Sequence, residues 1–233
     1  MRAVRTISTS AVILVLGGLA GCGGDSGGDR EGVKRVKPLE GSFVGKAQGE
    51  DAFVAVVASP ARPADRRREV TVYACDAKRL CEWFSGPAAG NSFEVNAHRG
   101  HGEASGELTR KAATGTIELP DGKSLRYEAD RATAAAGLYD LEVSARGKLT
   151  GASATGVGLT GKSTIPKPGT GSLKLADGKR LKLDVSRTRG DGAAPLQAGE
   201  ARLIVLSDHR LRGAARSRST AGGGPSDFFI RSG

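Results

Sequence analysis

Two of the three cysteines in this chain are spaced for a disulfide bond between neighbouring strands. Cys75 ends the alternating run 70–75, Cys81 begins the run 81–84, and the five residues between them are typical of a turn. Residues opposite each other on antiparallel strands lie about 4.5–5.5 Å apart at Cα, a separation that a disulfide tolerates. A redox or metal-binding pair is the alternative, but the spacing is not Cys-x-x-Cys and no histidine lies nearby. We expect a bridge that clamps a hairpin.

The third cysteine, Cys22, follows a leader of the kind that directs export. Arg2 and Arg5 give it a basic start, and an apolar stretch follows over residues 11–16. Residues 11–20 are only about half of the roughly 20 residues that a bilayer-crossing helix needs, so the leader is a signal peptide and not a span. Its last residues, Leu19-Ala20-Gly21-Cys22, resemble the lipobox of bacterial lipoproteins.

In that family the cysteine thiol receives a diacylglycerol, the preceding peptide bond is cut, and the mature chain begins at the cysteine. The resemblance implies a signal peptide at residues 1–21, lipidation of Cys22 and an extracytoplasmic position on the cell membrane. Two acyl chains suffice for stable anchoring. A secretory peptide with a chance cysteine is the alternative. Residues 22–40 are rich in Gly, Asp and Ser, which predicts a flexible tether.

The chain is basic, with a formal net charge of +10 that falls to about +8 without the first 21 residues. Such a charge attracts anionic lipid headgroups or anionic cell-wall polymer, and an envelope protein is a further possible partner; an extracytoplasmic location argues against nucleic acid. The alternative is that these cations are solvated loop residues with no binding role. The cations concentrate in three stretches: Lys34, Arg35 and Lys37, then Arg66, Arg67 and Arg68, then Arg210, Arg212, Arg216 and Arg218.

The body of the chain, residues 41–216, predicts an all-β domain. Short runs with two-residue alternation are separated every eight to twelve residues by Gly, Asp or Asn, and no amphipathic helix of convincing length occurs. Hairpins of this kind close into an antiparallel meander barrel or pack as a sandwich, because an open sheet would leave its edges exposed. The sequence alone leaves both open.

An internal repeat supports this interpretation. The segment 115–128 returns as 171–184, and in each copy an Asp-Gly pair supplies a tight turn between two alternating runs. Two related hairpin repeats result, in halves near 90–135 and 137–216. The last stretch, 217–233, is rich in Gly and Ser and predicts a disordered tail, although Phe228-Phe229-Ile230 could dock on the domain or on a partner.

A few aromatic residues cluster near the predicted disulfide, namely Tyr73, Trp83, Phe84 and Phe93. They form either a ligand site, with Trp83 as the floor of an apolar or sugar-stacking cleft, or simply the core of a small β domain. Segments 73–76, 82–86 and 136–139 resemble uncharacterised secreted proteins of actinobacteria. That resemblance implies an exported, β-rich fold and no particular reaction.

Signatures of catalysis are missing from the sequence. His98 and His101 lie three residues apart in a Gly-rich turn without a third ligand, so we expect no metal site and no cofactor. Gly-x-Ser-x-Gly is absent from the predicted β-rich domain, residues 41–216, and no Ser or Cys can be assigned to His209. We therefore expect no enzyme but a membrane-anchored envelope interaction or structural module. The alternatives are a β-barrel that carries a small apolar or lipid ligand and, third, an unrecognised hydrolase.

Overall fold

The computed structural model describes residues 39–60, 68–143, 149–153, 169–175, 177–187, 196–218 and 226–233. Within these ranges the fold is all-β, as predicted, with fifteen antiparallel strands and no helix. The strands are β1 (Gly41–Ala47), β2 (Phe53–Ala58), β3 (Arg68–Cys75), β4 (Cys81–Ala89), β5 (Ser92–Ala97), β6 (Glu103–Leu108), β7 (Ala112–Glu118), β8 (Ser124–Arg131), β9 (Gly137–Val143), β10 (Leu149–Ser153), β11 (Gly169–Lys174), β12 (Arg180–Arg187), β13 (Glu200–Val205), β14 (Leu211–Arg216) and β15 (Asp227–Ser232).

Strands β1 to β8 form a closed barrel in which each strand pairs with the next along the chain. The barrel closes where β8 pairs with β1, with Arg131 opposite Phe43 and Tyr127 opposite Ala47. An eight-stranded barrel has an interior just wide enough for side chains to fill it. Here the inward residues form one buried apolar cluster, which includes Phe43, Val54, Val56, Val70, Val72, Phe84, Phe93, Val95, Ile117, Leu125 and Tyr127. Of the two predicted architectures, this half adopts the meander barrel.

The other seven described strands form a second sheet in the order β10-β9-β13-β14-β15-β12-β11. One face of this sheet buries an apolar cluster of its own, with Tyr139, Leu173, Leu203, Phe228 and Ile230 among its members. The last strand, β15, lies between β14 and β12 and joins the two hairpins β13–β14 and β11–β12. The sheet therefore depends on the C-terminal residues of the chain.

The two copies of the sequence repeat fold as matching hairpins, β7–β8 in the barrel and β11–β12 in the second sheet. In the first turn the amide of Leu119 donates to the carbonyl of Lys123, and in the second Leu175 donates to Lys179 in the same way. Both turns place glycine at positive φ, at 83° and 85°. The predicted Asp-Gly turns are therefore confirmed.

A third turn of the same design joins β13 to β14, and the sequence analysis did not identify it. The amide of Leu206 donates to the carbonyl of Arg210, and Asp208 accepts from the amide of Arg210, as the aspartates of the other two turns do at the equivalent lysines. His209 stands where the other copies have glycine and takes a φ of 67°. A histidine with positive φ carries a modest strain that glycine avoids. Because histidine replaces the glycine of the Asp-Gly pair, the sequence similarity of this turn to the other two is hard to see.

The barrel and the second sheet share an apolar interface. Residues that point outwards from β1, β2 and β3 pack against residues on the second face of the other sheet and are buried there. The barrel contributes Val44, Phe53, Ala55, Val57 and Tyr73, and the second sheet contributes Leu138, Ile204, Leu206, Ala214 and Phe229. The described residues thus all belong to one compact unit.

The prediction of a disordered tail over 217–233 is wrong for its last part. Residues 227–232 form β15, and Phe228, Phe229 and Ile230 are buried by neighbouring strands. Only three apolar residues after a Gly-rich segment gave too short an alternating run to predict a strand. The signal peptide 1–21, most of the tether 22–40 and Cys22 lie outside the described residues.

We predict that Phe228→Ala destabilises the protein by about 3–5 kcal/mol, because it opens a cavity in the core of the second sheet. Arg231→Ala on the same strand is the control, since it removes an exposed ion pair worth about 0–1 kcal/mol. Urea unfolding of both variants measures the difference. Equal effects of the two substitutions would contradict the placement of β15 in the sheet.

Candidate functional site

The predicted disulfide is present between Cys75 and Cys81, which are opposite each other in register at the ends of β3 and β4, with Cα atoms 4.1 Å apart. Asp76 organises the turn between them, because its carboxylate accepts the amides of Lys78, Arg79 and Leu80 at 2.7–2.9 Å. Both cysteines are buried among the residues of the shared interface. The bridge fixes the end of the hairpin that carries the aromatic residues.

The predicted aromatic cluster divides into two pairs. Phe84 and Phe93 point into the barrel and are buried in its core, as the structural alternative predicted. Tyr73 and Trp83 face outwards as a cross-strand pair, with ring centroids 5.5 Å apart. Alternation explains the division, because Trp83 and Phe84 are neighbours on one strand and point to opposite faces. Because Tyr73 is fully buried in the shared interface, Trp83 is the one member of the four that can contribute to a surface site.

Trp83 is half-buried where the barrel meets the second sheet. The guanidinium of Arg202, on β13, stacks over its ring with Cζ 4.3 Å from the centroid. Asp140, on β9, accepts from Arg202 Nε at 3.1 Å and holds the guanidinium in place. A cation over an indole face contributes about 0.5–2 kcal/mol. Because Arg202 covers the indole, this face of Trp83 is not an open platform for a sugar ring.

Trp83 also lies close to His98, the residue after β5, with the ring centroids 6.0 Å apart and the ring planes at 69° to each other. Its Nε2 and the hydroxyl of Ser85 are 2.6 Å apart. Burial lowers the pKa of His98, the positive charge of Arg202 lowers it further, and Glu69 acts in the opposite direction. The imidazole is therefore neutral at pH 7. We call Trp83, Arg202, Asp140, His98 and Ser85 the seam cluster.

The seam cluster contains one pair with the elements of nucleophilic chemistry. A neutral imidazole bonded to a serine hydroxyl can act as its general base. A serine hydrolase also needs a group that orients the imidazole and donors that stabilise an oxyanion, and the Ser85–His98 pair alone supplies neither. Tyr73 lies beneath the cluster, and burial raises the pKa of its phenol, which stays protonated. The cluster is best described as a stacked, paired joint between the two halves.

Metal ligation has no support in the part of the chain that the structure describes. There, no three His, Cys, Asp or Glu side chains are grouped so as to hold an ion. His209, which the sequence left without a partner, bonds through Nε2 to the carboxylate of Asp177 at 2.7 Å and so ties two hairpin turns together. Among the described residues, no helix has the length and apolarity of a membrane span.

A second surface feature lies on the face of β11, β12 and β15 that points away from the core of the second sheet. It carries four exposed cations, Lys174, Arg180, Lys182 and Arg231, and we call this set the basic strip. Lys174 is directly opposite Arg180 in the register, and Lys182 follows two residues later on the same face. Asp184 is the acid among them and pairs with Arg231 at 2.7 Å.

The cations that the sequence analysis singled out are placed differently. Arg210, Arg212 and Arg216 each pair with an aspartate, at Asp208, Asp51 and Asp227. Arg68 is 4% exposed and donates to the carbonyl of Leu39. Arg218 is exposed and donates to the carbonyl of Ala198. Lys34, Arg35, Lys37, Arg66 and Arg67 lie outside the described residues.

Several of these residues were not predicted, for different reasons. Arg202 and Asp140 are 62 residues apart in sequence, and no local pattern connects them to Trp83. The basic strip did have a signal, because Arg180 and Lys182 alternate with Leu181 and Leu183 and so share a face. Comparison of the chain with protein-family models, curated proteins and solved structures found no match in any of the three.

We predict that Arg202→Gln raises the pKa of His98 towards the ordinary value of 6.5, because it removes the cation beside the imidazole. The pKa stays below that value, since burial is the larger cause. The matched control is Arg202→Lys, which keeps the charge and should leave the pKa nearly unchanged. NMR titration separates the three imidazoles of the chain. A lysine variant that shifts as far as the glutamine variant would contradict an electrostatic effect.

Proposed function

We propose that this protein is a lipoprotein anchored at Cys22 on the outer face of the cell membrane, and that its folded domain binds an anionic polymer of the envelope through the basic strip, without catalysis. The observation that carries this proposal is the concentration of four exposed cations on one sheet face, Lys174, Arg180, Lys182 and Arg231. Asp184 lies on the same face and pairs with Arg231. The lipobox-like leader supports the location.

The register of the basic strip favours a ligand. Like charges directly opposite each other in a sheet are destabilising, and Lys174 faces Arg180 in this way. An anion placed between them would turn that repulsion into attraction. Strands lie about 4.8 Å apart and alternate residues about 6.6 Å apart, so the strip presents cations every 5–7 Å or so. That spacing suits a polymer with a charge on each repeating unit.

A polymer is a better ligand for such a surface than a single small anion. Each exposed cation contributes little alone, about 0–1 kcal/mol, because water screens it. Several charges on one chain add their contributions without a new loss of translational freedom for each contact. Binding of this kind weakens as salt shortens the screening length.

Carriage of a small apolar or lipid ligand in the barrel ranks second. A carrier needs free interior volume, and the inward side chains of β1 to β8 pack together as one buried cluster. An unrecognised hydrolase ranks third, supported by the 2.6 Å contact between Ser85 and His98.

We predict that Cys22→Ala moves the protein from the membrane fraction to the soluble fraction of the producing cell, because the acyl chains supply the anchor. Intact mass measurement of the parent protein should show cleavage before Cys22 and an added diacylglycerol. The double variant Cys75→Ser with Cys81→Ser is the control and should stay in the membrane. A parent protein of unmodified mass would refute the lipoprotein proposal.

We predict that Lys174→Glu with Lys182→Glu weakens binding to immobilised polyglycerol phosphate by about tenfold or more, since two attractive contacts become repulsive. Biosensor titration between about 0.05 M and 0.5 M salt should also show steep weakening for the parent protein. The control is Arg110→Glu with Lys111→Glu, the same charge change at an exposed turn of the barrel.

Two results would overturn the role of the strip. Equal losses in the two double variants would mean that only net charge matters. Parent binding that does not respond to salt would mean that electrostatic contacts do not hold the polymer.

A further inference from the structure

The barrel has a strongly acidic face on the side formed by β5 to β8. These four strands are described in full, and their outward side chains include six carboxylates against one cation, Arg126. We call the six carboxylates the acidic face: Glu94, Glu103, Glu107, Glu118, Glu128 and Asp130. Five of the six are exposed, and Glu103 is half-buried.

Neighbouring carboxylates on the acidic face repel each other. Glu103 lies directly opposite Glu118 in the register of β6 and β7. Glu107 and Glu128 flank Thr114 from its two neighbouring strands. Like charges in opposite positions destabilise a sheet. The acidic face therefore shows the same unfavourable arrangement as the basic strip, with the opposite sign.

Both charged surfaces lie outside the apolar interface that joins the two halves of the molecule. That interface uses the outward residues of β1 to β4 in the barrel and of β9, β13, β14 and β15 in the second sheet. Strands β5 to β8 and strands β11 and β12 contribute no residue to it. In the described chain, Arg231 pairs within its own sheet, with Asp184. The acidic face and the basic strip are thus complementary surfaces of one chain that this interface does not cover.

We propose that the acidic face of one copy docks on the basic strip of a second copy, head to tail. The two surfaces differ, so the contact is heterologous. In a docked pair, one copy keeps a free basic strip and the other keeps a free acidic face. Copies would therefore add in rows rather than stop at a dimer. The contact shares the basic strip with the proposed function but does not require the polymer, so a second copy and a polymer compete for the strip.

The size of the acidic face sets the expected strength. Four strands about 4.8 Å apart and about six residues long present roughly 20 Å by 20 Å, or about 400 Å² per copy. A standard stable interface buries about 800 Å² per partner, so this contact is weak. Anchoring on one membrane would raise the effective concentration of the copies enough to populate it.

The test is sedimentation velocity of the full chain with Cys22→Ala, so that no acyl chain drives association. We expect the weight-average sedimentation coefficient to rise with concentration at about 0.02 M salt and to stay at the monomer value at about 0.5 M salt. A protein that is monomeric at low salt and several hundred micromolar would overturn the proposal. So would association that salt leaves unchanged.

Charge reversals identify the surfaces. The acidic-face variant is Glu103→Lys with Glu118→Lys, and the strip variant is Lys174→Glu with Lys182→Glu. Each should associate at least about tenfold more weakly than the parent, because each has lost one of the two surfaces. Arg110→Glu with Lys111→Glu, in the turn between β6 and β7, should associate at least as strongly as the parent does, because it adds negative charge beside the acidic face.

An equal mixture of the two variants gives the decisive result. The acidic-face variant keeps a native strip and the strip variant keeps a native acidic face, so one native contact forms between them. The mixture should regain the concentration-dependent association that each variant alone has lost. A variant that is merely misfolded would not be rescued in this way, and a monomeric mixture would overturn the proposal.

The same variants separate this proposal from the polymer-binding function. The acidic-face variant should bind polyglycerol phosphate at least as well as the parent does, while it fails to self-associate. The strip variant should lose both activities. Loss of polymer binding with intact self-association, or the reverse, would show which of the two proposals fails.

Discussion

The organisation of the molecule depends on β2, in which all six residues of Phe53–Ala58 are buried. A strand of an antiparallel barrel that faces water alternates between buried and exposed residues. In β2 the inward residues fill the barrel, and the outward residues, Phe53, Ala55 and Val57, are as apolar as the inward ones. The second sheet must cover that outward surface, which fixes where it docks.

Because the second sheet docks on β1 to β3, charged side chains are left at the border of the interface and on the strands outside it. At the border of the interface, the cations Arg210, Arg212 and Lys46 surround the ring of Phe53 at 4.7–5.8 Å from its centroid, and Arg212 also pairs with Asp51. Charges at the border are therefore paired or stacked. Away from the border, Glu103 faces Glu118 across β6 and β7, and Lys174 faces Arg180 across β11 and β12. These two like-charged pairs lie on strands that contribute no residue to the interface.

Local features were predictable from the sequence, and long-range ones were not. The two Asp-Gly turns, the alternation around Leu173 and Leu183 and the disulfide all depend on residues within about a dozen positions of each other. The pairing of β15 with β14 and β12, and the stacking of Arg202 on Trp83, depend on distant segments that no local pattern connects. The third turn could also have been predicted from the repeat, because residues 206–210 keep the Leu and Asp of the other two turns, although histidine replaces glycine.

The seam cluster and the charged faces differ in the kind of role that their electrostatics allows. In the seam cluster, Arg202 has a carboxylate at Nε and an indole beneath it, and His98 is neutral, so little uncompensated charge faces solvent. Such an arrangement joins two halves and supplies no long-range attraction. The strip and the acidic face keep repulsive pairs that cost stability, and neutral residues at those positions would remove the cost. A cost of this kind is offset when a partner of opposite charge binds, which is why we propose recognition for the outer faces and a structural role for the seam.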